Sequence, residues 1–197
     1  MTVMQEPAVA PAPVATEPKA SPVAVVRPAA FSVSVAYLLM RGWTKGSPGG
    51  VAGEVALRLP AQLWLGFGGG YLPPHTASAD GASIKTWGGT LQLSLCWQSP
   101  TKPWSFLGCV VGGPLFLGAR GESVDVSERV HFETGSVGVR VGVRAQLHQH
   151  FFGFLSAQGL VPFRQAQLAV MRNDLAEIAY ETSPVVGELT VGVGLTY

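Results

Sequence analysis

The side chains that could do chemistry are few and scattered. There are four histidines, at positions 75, 131, 148 and 150, and two cysteines. His148-Gln-His150 puts two imidazoles one residue apart, a spacing that could hold a metal ion. A turn pair of this kind is more often simply polar, and no third ligand stands beside it. Asp80, Asp125 and Asp174 are dispersed and do not form the paired carboxylates that acid–base chemistry needs. Ser156 follows His150 with no acid near it in sequence. No nucleophile, base and acid can be grouped into a triad. No metal or cofactor motif is present, and the expectation is a non-catalytic protein without a cofactor.

The elements that would carry these residues read as strands. The 197 residues suit one domain and a tail. Charged residues make up 13% against roughly 25% in ordinary soluble domains. Hydrophobic residues make up 47%, and the mean hydropathy is +0.30. Yet the apolar runs are broken by Gly, Ser, Arg or Pro well short of the ~20 residues of a spanning helix. The net charge of +1, without a basic block, gives no support for nucleic-acid binding.

From Phe31 onward, apolar residues alternate with small or polar ones, so each segment presents one apolar face. Strands are expected at about 31–40, 51–59, 63–71, 84–97, 104–117, 134–147, 151–168 and from 185 to the end. The sixth is the clearest: Val137, Val139, Val141 and Val143 oppose Ser136, Gly138, Arg140, Gly142 and Arg144. The fifth carries apolar residues on both faces, and Pro162 interrupts the seventh. The links alternate strictly. Those at 60–62, 98–103 and 148–150 are short, and those at 41–50, 72–83, 118–133 and 169–184 are long. Phe31, Trp97, Trp104, Phe151, Phe152 and Tyr197 fall near the short-turn end. Tyr37, Trp43, Tyr71, Trp87, Phe116 and Phe163 fall toward the long-loop end, giving two aromatic girdles around an aliphatic band.

The chain ends in Glu-Leu-Thr-Val-Gly-Val-Gly-Leu-Thr-Tyr. Leu189, Val191, Val193, Leu195 and Tyr197 share one face, and the last residue is aromatic. This ending resembles the closing strand of small, eight-stranded bacterial outer-membrane β-barrels, and the resemblance extends over about 31–197. It implies an all-β fold, a closed up-and-down antiparallel transmembrane β-barrel of eight strands, with short periplasmic turns and long extracellular loops. It further implies residence in the bacterial outer membrane with both termini periplasmic. The implied partners are the lipid bilayer and, through the C-terminal strand, the barrel-assembly machinery. Members of this class serve as anchors, adhesins, narrow pores or lipid-modifying enzymes. The role expected here is structural or interactive, through the long loops.

Two alternatives compete. A soluble barrel binding a small apolar ligand would point Val137, Val139, Val141 and Val143 inward. Its water-facing phase should then be rich in Lys and Glu, whereas here it holds Gly, Ser and Thr with occasional Arg. A lipid-modifying outer-membrane enzyme would need a nucleophile, base and acid converging at the membrane boundary, and the His–Ser motif of the deacylase kind cannot be matched.

Within the polar phase, Glu54, Arg58, Arg140, Arg144 and Glu188 are expected to pair inside the lumen and plug it, because an isolated enclosed charge is costly. Cys96 and Cys109 flank a short turn. An antiparallel register placing 96 opposite 109 allows a disulfide, favoured by an oxidising envelope; two free buried thiols are the alternative. Residues 1–30 are rich in Pro and Ala and read as a disordered linker or tail, or as a tether to a periplasmic partner. They lack the basic start and continuous apolar core of a signal peptide. Export therefore calls for a start upstream or a cleavage before this sequence begins.

Overall fold

The structure, a computed structural model, describes residues 31–44, 48–79, 82–101, 103–121, 129–172 and 175–197. Residues 1–30, and with them the linker expectation, lie outside the described residues, as do Asp80, Asp125 and Asp174. Ten strands follow in order: β1 (Phe31–Arg41), β2 (Gly49–Arg58), β3 (Leu63–Ala79), β4 (Ala82–Gln98), β5 (Trp104–Gly121), β6 (Arg129–Gln146), β7 (Phe151–Pro162), β8 (Gln167–Arg172), β9 (Leu175–Glu181) and β10 (Val186–Thr196).

Eight of these close into an antiparallel barrel in the order β1-β10-β7-β6-β5-β4-β3-β2. Chain neighbours pair throughout except at the seam, where the first and last strands meet with Val33 opposite Leu195 and Leu39 opposite Leu189. Phe31 and Tyr197 exchange backbone hydrogen bonds of 3.1 and 2.9 Å, and their rings stack at 5.2 Å. Where all eight strands run side by side, closure leaves no strand edge unpaired, as backbone in a lipid environment demands.

The alternating apolar phase faces outward. Val139 and Val141 are 62% and 61% exposed, and the last strand's Leu189, Val191, Val193, Leu195 and Tyr197 are all exposed. This direction removes the soluble-barrel alternative, whose apolar phase would have to point inward. Of the girdle aromatics, Phe31, Tyr37, Tyr71, Trp97, Trp104 and Phe163 are exposed on this outer surface. Trp87 and Phe116 are half-buried, and Phe152 departs from the girdle expectation, being buried in the lumen against Arg144.

Trp43 departs from the girdle expectation: it is fully buried. Gly42 adopts φ +90°, open to glycine and strained for other residues, and turns the chain back over the barrel mouth. Trp43 then reaches in, its Nε1 donating to the Phe116 carbonyl at 2.9 Å, its ring 6.1 Å from that of Phe132.

Two long links also differ from expectation. The 72–83 and 118–133 links are largely sheet, since β3 runs on to Ala79, β4 starts at Ala82, β5 runs to Gly121 and β6 starts at Arg129. Backbone pairing sustains these extensions without an apolar alternation to announce them. The register of β3 on β4 shifts between Leu72 and His75, where Pro73 and Pro74 have no N–H to donate. The seventh strand ends at Pro162, not near 168, and β8 and β9 pair as a separate hairpin before β10.

Inside, the lumen is layered. Toward the long-loop end, Leu38, Met40, Trp43, Leu72, Leu115, Leu160 and Val186 form an apolar plug, none more than 1% exposed. Full burial of each such side chain stabilises by roughly 1.5–3 kcal/mol. The doubly apolar fifth strand follows from this core: its inward Val111, Leu115 and Leu117 belong to the same buried cluster, and its outward Phe106 and Val110 are exposed on the outer surface.

Candidate functional site: the polar ring in the lumen

Below the plug, five side chains from five strands meet. Arg140 on β6 is the hub. It pairs with Glu54 on β2, its Nη1 donating to Oε2. Its Nε donates to Gln158 Oε1 at 2.8 Å and its Nη2 to Gln92 Oε1 at 3.0 Å. Each glutamine then turns its amide to Glu188. Gln158 Nε2 donates to Oε2 at 2.9 Å and Gln92 Nε2 to Oε1 at 3.4 Å. Arg140, Gln92, Glu188 and Gln158 thus close a ring, with Glu54 as the direct counter-ion. A planar guanidinium with donors fixed in a fork suits three acceptors at once, where a lysine would not. Each glutamine uses both ends of its amide, accepting from the cation and donating to the acid.

The small face of β3 makes room for this ring. A Cβ added at Gly66 would come within 2.8 Å of Glu54 Oε1, and one at Gly68 within 3.0 Å of Glu54 Cβ. Gly66 and Gly68 thus leave space for Glu54, Gly66 also for the Ser94 hydroxyl, and Gly70 for Leu38 of the plug.

The expected lumen charges do not all meet. Glu54, Arg140 and Glu188 share the ring. Arg144 sits apart toward the short turns, 7% exposed, with its Nη2 on Thr196 Oγ1 and its guanidinium 3.5 Å from the Phe152 ring centroid. Arg58 is exposed at the short-turn end of β2 and is not an enclosed lumen charge, which corrects the expectation for that residue. Gln92 and Gln158 are members that the sequence reading misses. Their signal is present, since both occupy the lumen phase, but an uncharged amide does not announce a need for a partner.

Cys96 and Cys109 face each other across β4 and β5 and are joined by a disulfide, with Cα atoms 4.0 Å apart. The histidines stay dispersed. His75 Nε2 lies 3.2 Å from Thr86 Oγ1, and His131 meets Trp87 edge-on at 5.9 Å. His150 Nδ1 lies 2.9 Å from the Thr196 carbonyl and its ring stacks on Tyr197. Among the described residues, no three His, Cys, Asp or Glu side chains cluster as a metal site would require. No helix of the described residues is long and apolar enough to cross a membrane.

No family model and no curated protein matches the chain. Solved structures do. A major outer membrane protein from Thermus thermophilus superposes with a TM-score of 0.60 at 13% identity, over 85% of this chain and 100% of that one. The outer membrane protein OprG from Pseudomonas aeruginosa superposes with a TM-score of 0.54 at 11% identity, over 86% and 96% of the two chains. Neisserial surface protein A gives 0.51 at 12% identity, over 85% and 96%. At these identities the likeness is one of fold. With the closed eight-stranded barrel and the outward apolar band, it defines the class: a small transmembrane β-barrel of the outer-membrane type.

Proposed function

We propose that this protein is a non-catalytic barrel of the bacterial outer membrane, with periplasmic termini, whose role is structural or interactive and lies at its long-loop end. The observation that carries this reading is the filled lumen. The apolar plug and the polar ring occupy successive layers of an interior that eight strands already make narrow. An interior so filled favours display over passage.

The long-loop end has a surface to display. β1, β2, β7 and β10 are 10 to 12 residues long, which suits a spanning strand of ~9–11 residues. β3 to β6 are 17 or 18 residues long. Their surplus of about six residues, at ~3.3 Å each, amounts to about 20 Å of strand beyond the spanning part. That wall and the β8–β9 hairpin are the surfaces most available to a partner. The exposed C-terminal strand, ending in Tyr197, is the feature the barrel-assembly machinery would read.

Three measurements test the reading. Full-length protein in fractionated cells should enrich in the outer membrane and migrate differently on gels when heated. In planar bilayers the wild type should give no stepwise conductance. A photo-crosslinking residue at Phe163 or Val130 should capture a macromolecule on intact cells, and one at Val139 should capture only lipid. Steady wild-type conductance, or capture no different at the two kinds of position, refutes the proposal.

A further inference from the structure

The short-turn half of the lumen holds a buried cation that the polar ring does not use. Arg144 is 7% exposed, and no carboxylate lies within 4.0 Å of it among the described residues. Its Nη2 donates to Thr196 Oγ1, and its face is covered by Phe152 at 3.5 Å and approached by Trp64 at 5.8 Å. Its Nε is buried without a partner. The nearest acids by layer are committed elsewhere: Glu54 to Arg140, and both oxygens of Glu188 to the two glutamines. An enclosed guanidinium with an idle N–H and no counter-ion is a costly arrangement unless something supplies negative charge.

Space for that charge exists beside it. Arg144 lines a lumen cavity of about 100 Å³ together with Trp64, Phe152, Ser32 and Ala56, and the five residues of the polar ring line the same cavity. At the ~30 Å³ share of one water, such a cavity holds roughly three waters. That is room for a halide or a small oxyanion and below the ~300 Å³ at which pockets for larger organic ligands begin. Leu38 of the apolar plug also lines the cavity.

We propose that the part of this cavity beside Arg144 is a binding site for a small monovalent anion, held by the unshielded edge of the Arg144 guanidinium with Ser32 as a neighbouring hydroxyl. The aromatic faces of Phe152 and Trp64 fix the guanidinium in place, and the polar ring with its two carboxylates walls the same cavity on the other side.

Bromide is the probe. Full-length protein folded in detergent micelles is crystallised with sodium bromide, and an anomalous peak is expected in the cavity at contact distance from Arg144. In solution, the thermal midpoint should rise with the logarithm of bromide concentration at constant ionic strength, gluconate being the bulky replacement. Arg144→Met should abolish both signals. Should that variant fail to fold, Ala56→Leu keeps the cation and fills the cavity, and should abolish the same two signals. A wild-type cavity without an anomalous peak and with a bromide-independent midpoint overturns the proposal. So does a bromide effect that survives the substitutions.

Discussion

The pair formed by Glu54 and Arg140 offers the sharpest test of the ring. Their side chains are 24% and 18% exposed, so the pair is neither fully dry nor at a free surface. Exposed pairs contribute about 0–1 kcal/mol, and breaking a fully buried pair costs about 3–5 kcal/mol. The intermediate burial here places the coupling between the two residues at roughly 2 kcal/mol. The single substitutions should be unequal. In Glu54→Ala, Arg140 keeps Gln92 and Gln158, and the cost is about 2–3 kcal/mol, below that of an orphaned dry charge. Arg140→Met removes the hub: Glu54 loses its cation, both glutamine carbonyls lose their donor, and two acids remain with no cation in their layer. Each newly unsatisfied buried group costs about 1–3 kcal/mol, so this variant should be the weaker of the two. The double variant should then fall short of the sum by the coupling.

The assay is equilibrium urea unfolding in micelles, followed by the fluorescence of the five tryptophans and by the heat-sensitive gel shift. The four proteins of the cycle are measured at one pH and salt concentration. A coupling below about 0.5 kcal/mol, the limit of additivity for independent sites, would refute the ring as an energetic unit. So would a Glu54→Ala cost exceeding that of Arg140→Met, because the hub would then be misassigned.

The disulfide, the lumen glycines and the β2–β3 turn can each be tested in the same way. Cys96→Ser with Cys109→Ser opens a loop of sequence separation 13 and should lower stability by about 3 kcal/mol on the chain-entropy account; oxidised and reduced wild type, compared by urea midpoint, check the same value. Gly138→Val should block folding, because a Cβ there meets the Gly159 carbonyl, whereas Gly159→Val should fold normally, having nothing within 4 Å; gel-shift refolding yields separate the two. The β2–β3 turn holds Ala61 and Gln62 at φ 58° and 63°, where side chains are strained, so Ala61→Asn with Gln62→Gly should raise stability by about 1 kcal/mol in the urea assay.

The barrel is legible because a spanning strand writes its two environments into alternate residues. Val137 to Val143 against Gly138, Arg140 and Arg144 is such a record, and the structure orients it as the alternation requires. The signal fades where the environments cease to differ. The added lengths of β3 to β6 carry no sustained apolar alternation, and Pro73-Pro74 reads as a break although the sheet merely shifts register there. The β8–β9 hairpin falls in a stretch that reads as strand end and loop, because its two strands are only 6 and 7 residues long and lack a sustained alternation. Trp43 reads as a girdle residue by its type, but the preceding glycine decides its direction: with Gly42 at φ 90°, the chain folds inward.

The ring shows what alternation cannot supply. Phase tells that Glu54, Arg140 and Glu188 face the lumen, but not at what height. Height is fixed by the register of every pairing between them, and Glu54 meets Arg140 from 86 residues away across the barrel's width. Arg144 shares the phase of Arg140 and sits further along the same strand toward the rim, far enough that no acid among the described residues reaches it. A narrow lumen converts that difference into two unlike sites: a ring whose donors and acceptors satisfy one another, and a cation left facing a cavity. The first resists change because removing any member strands the rest. The second gains stability only from a partner outside the chain, so the two should respond differently to added anion, the ring indifferent and the Arg144 layer stabilised.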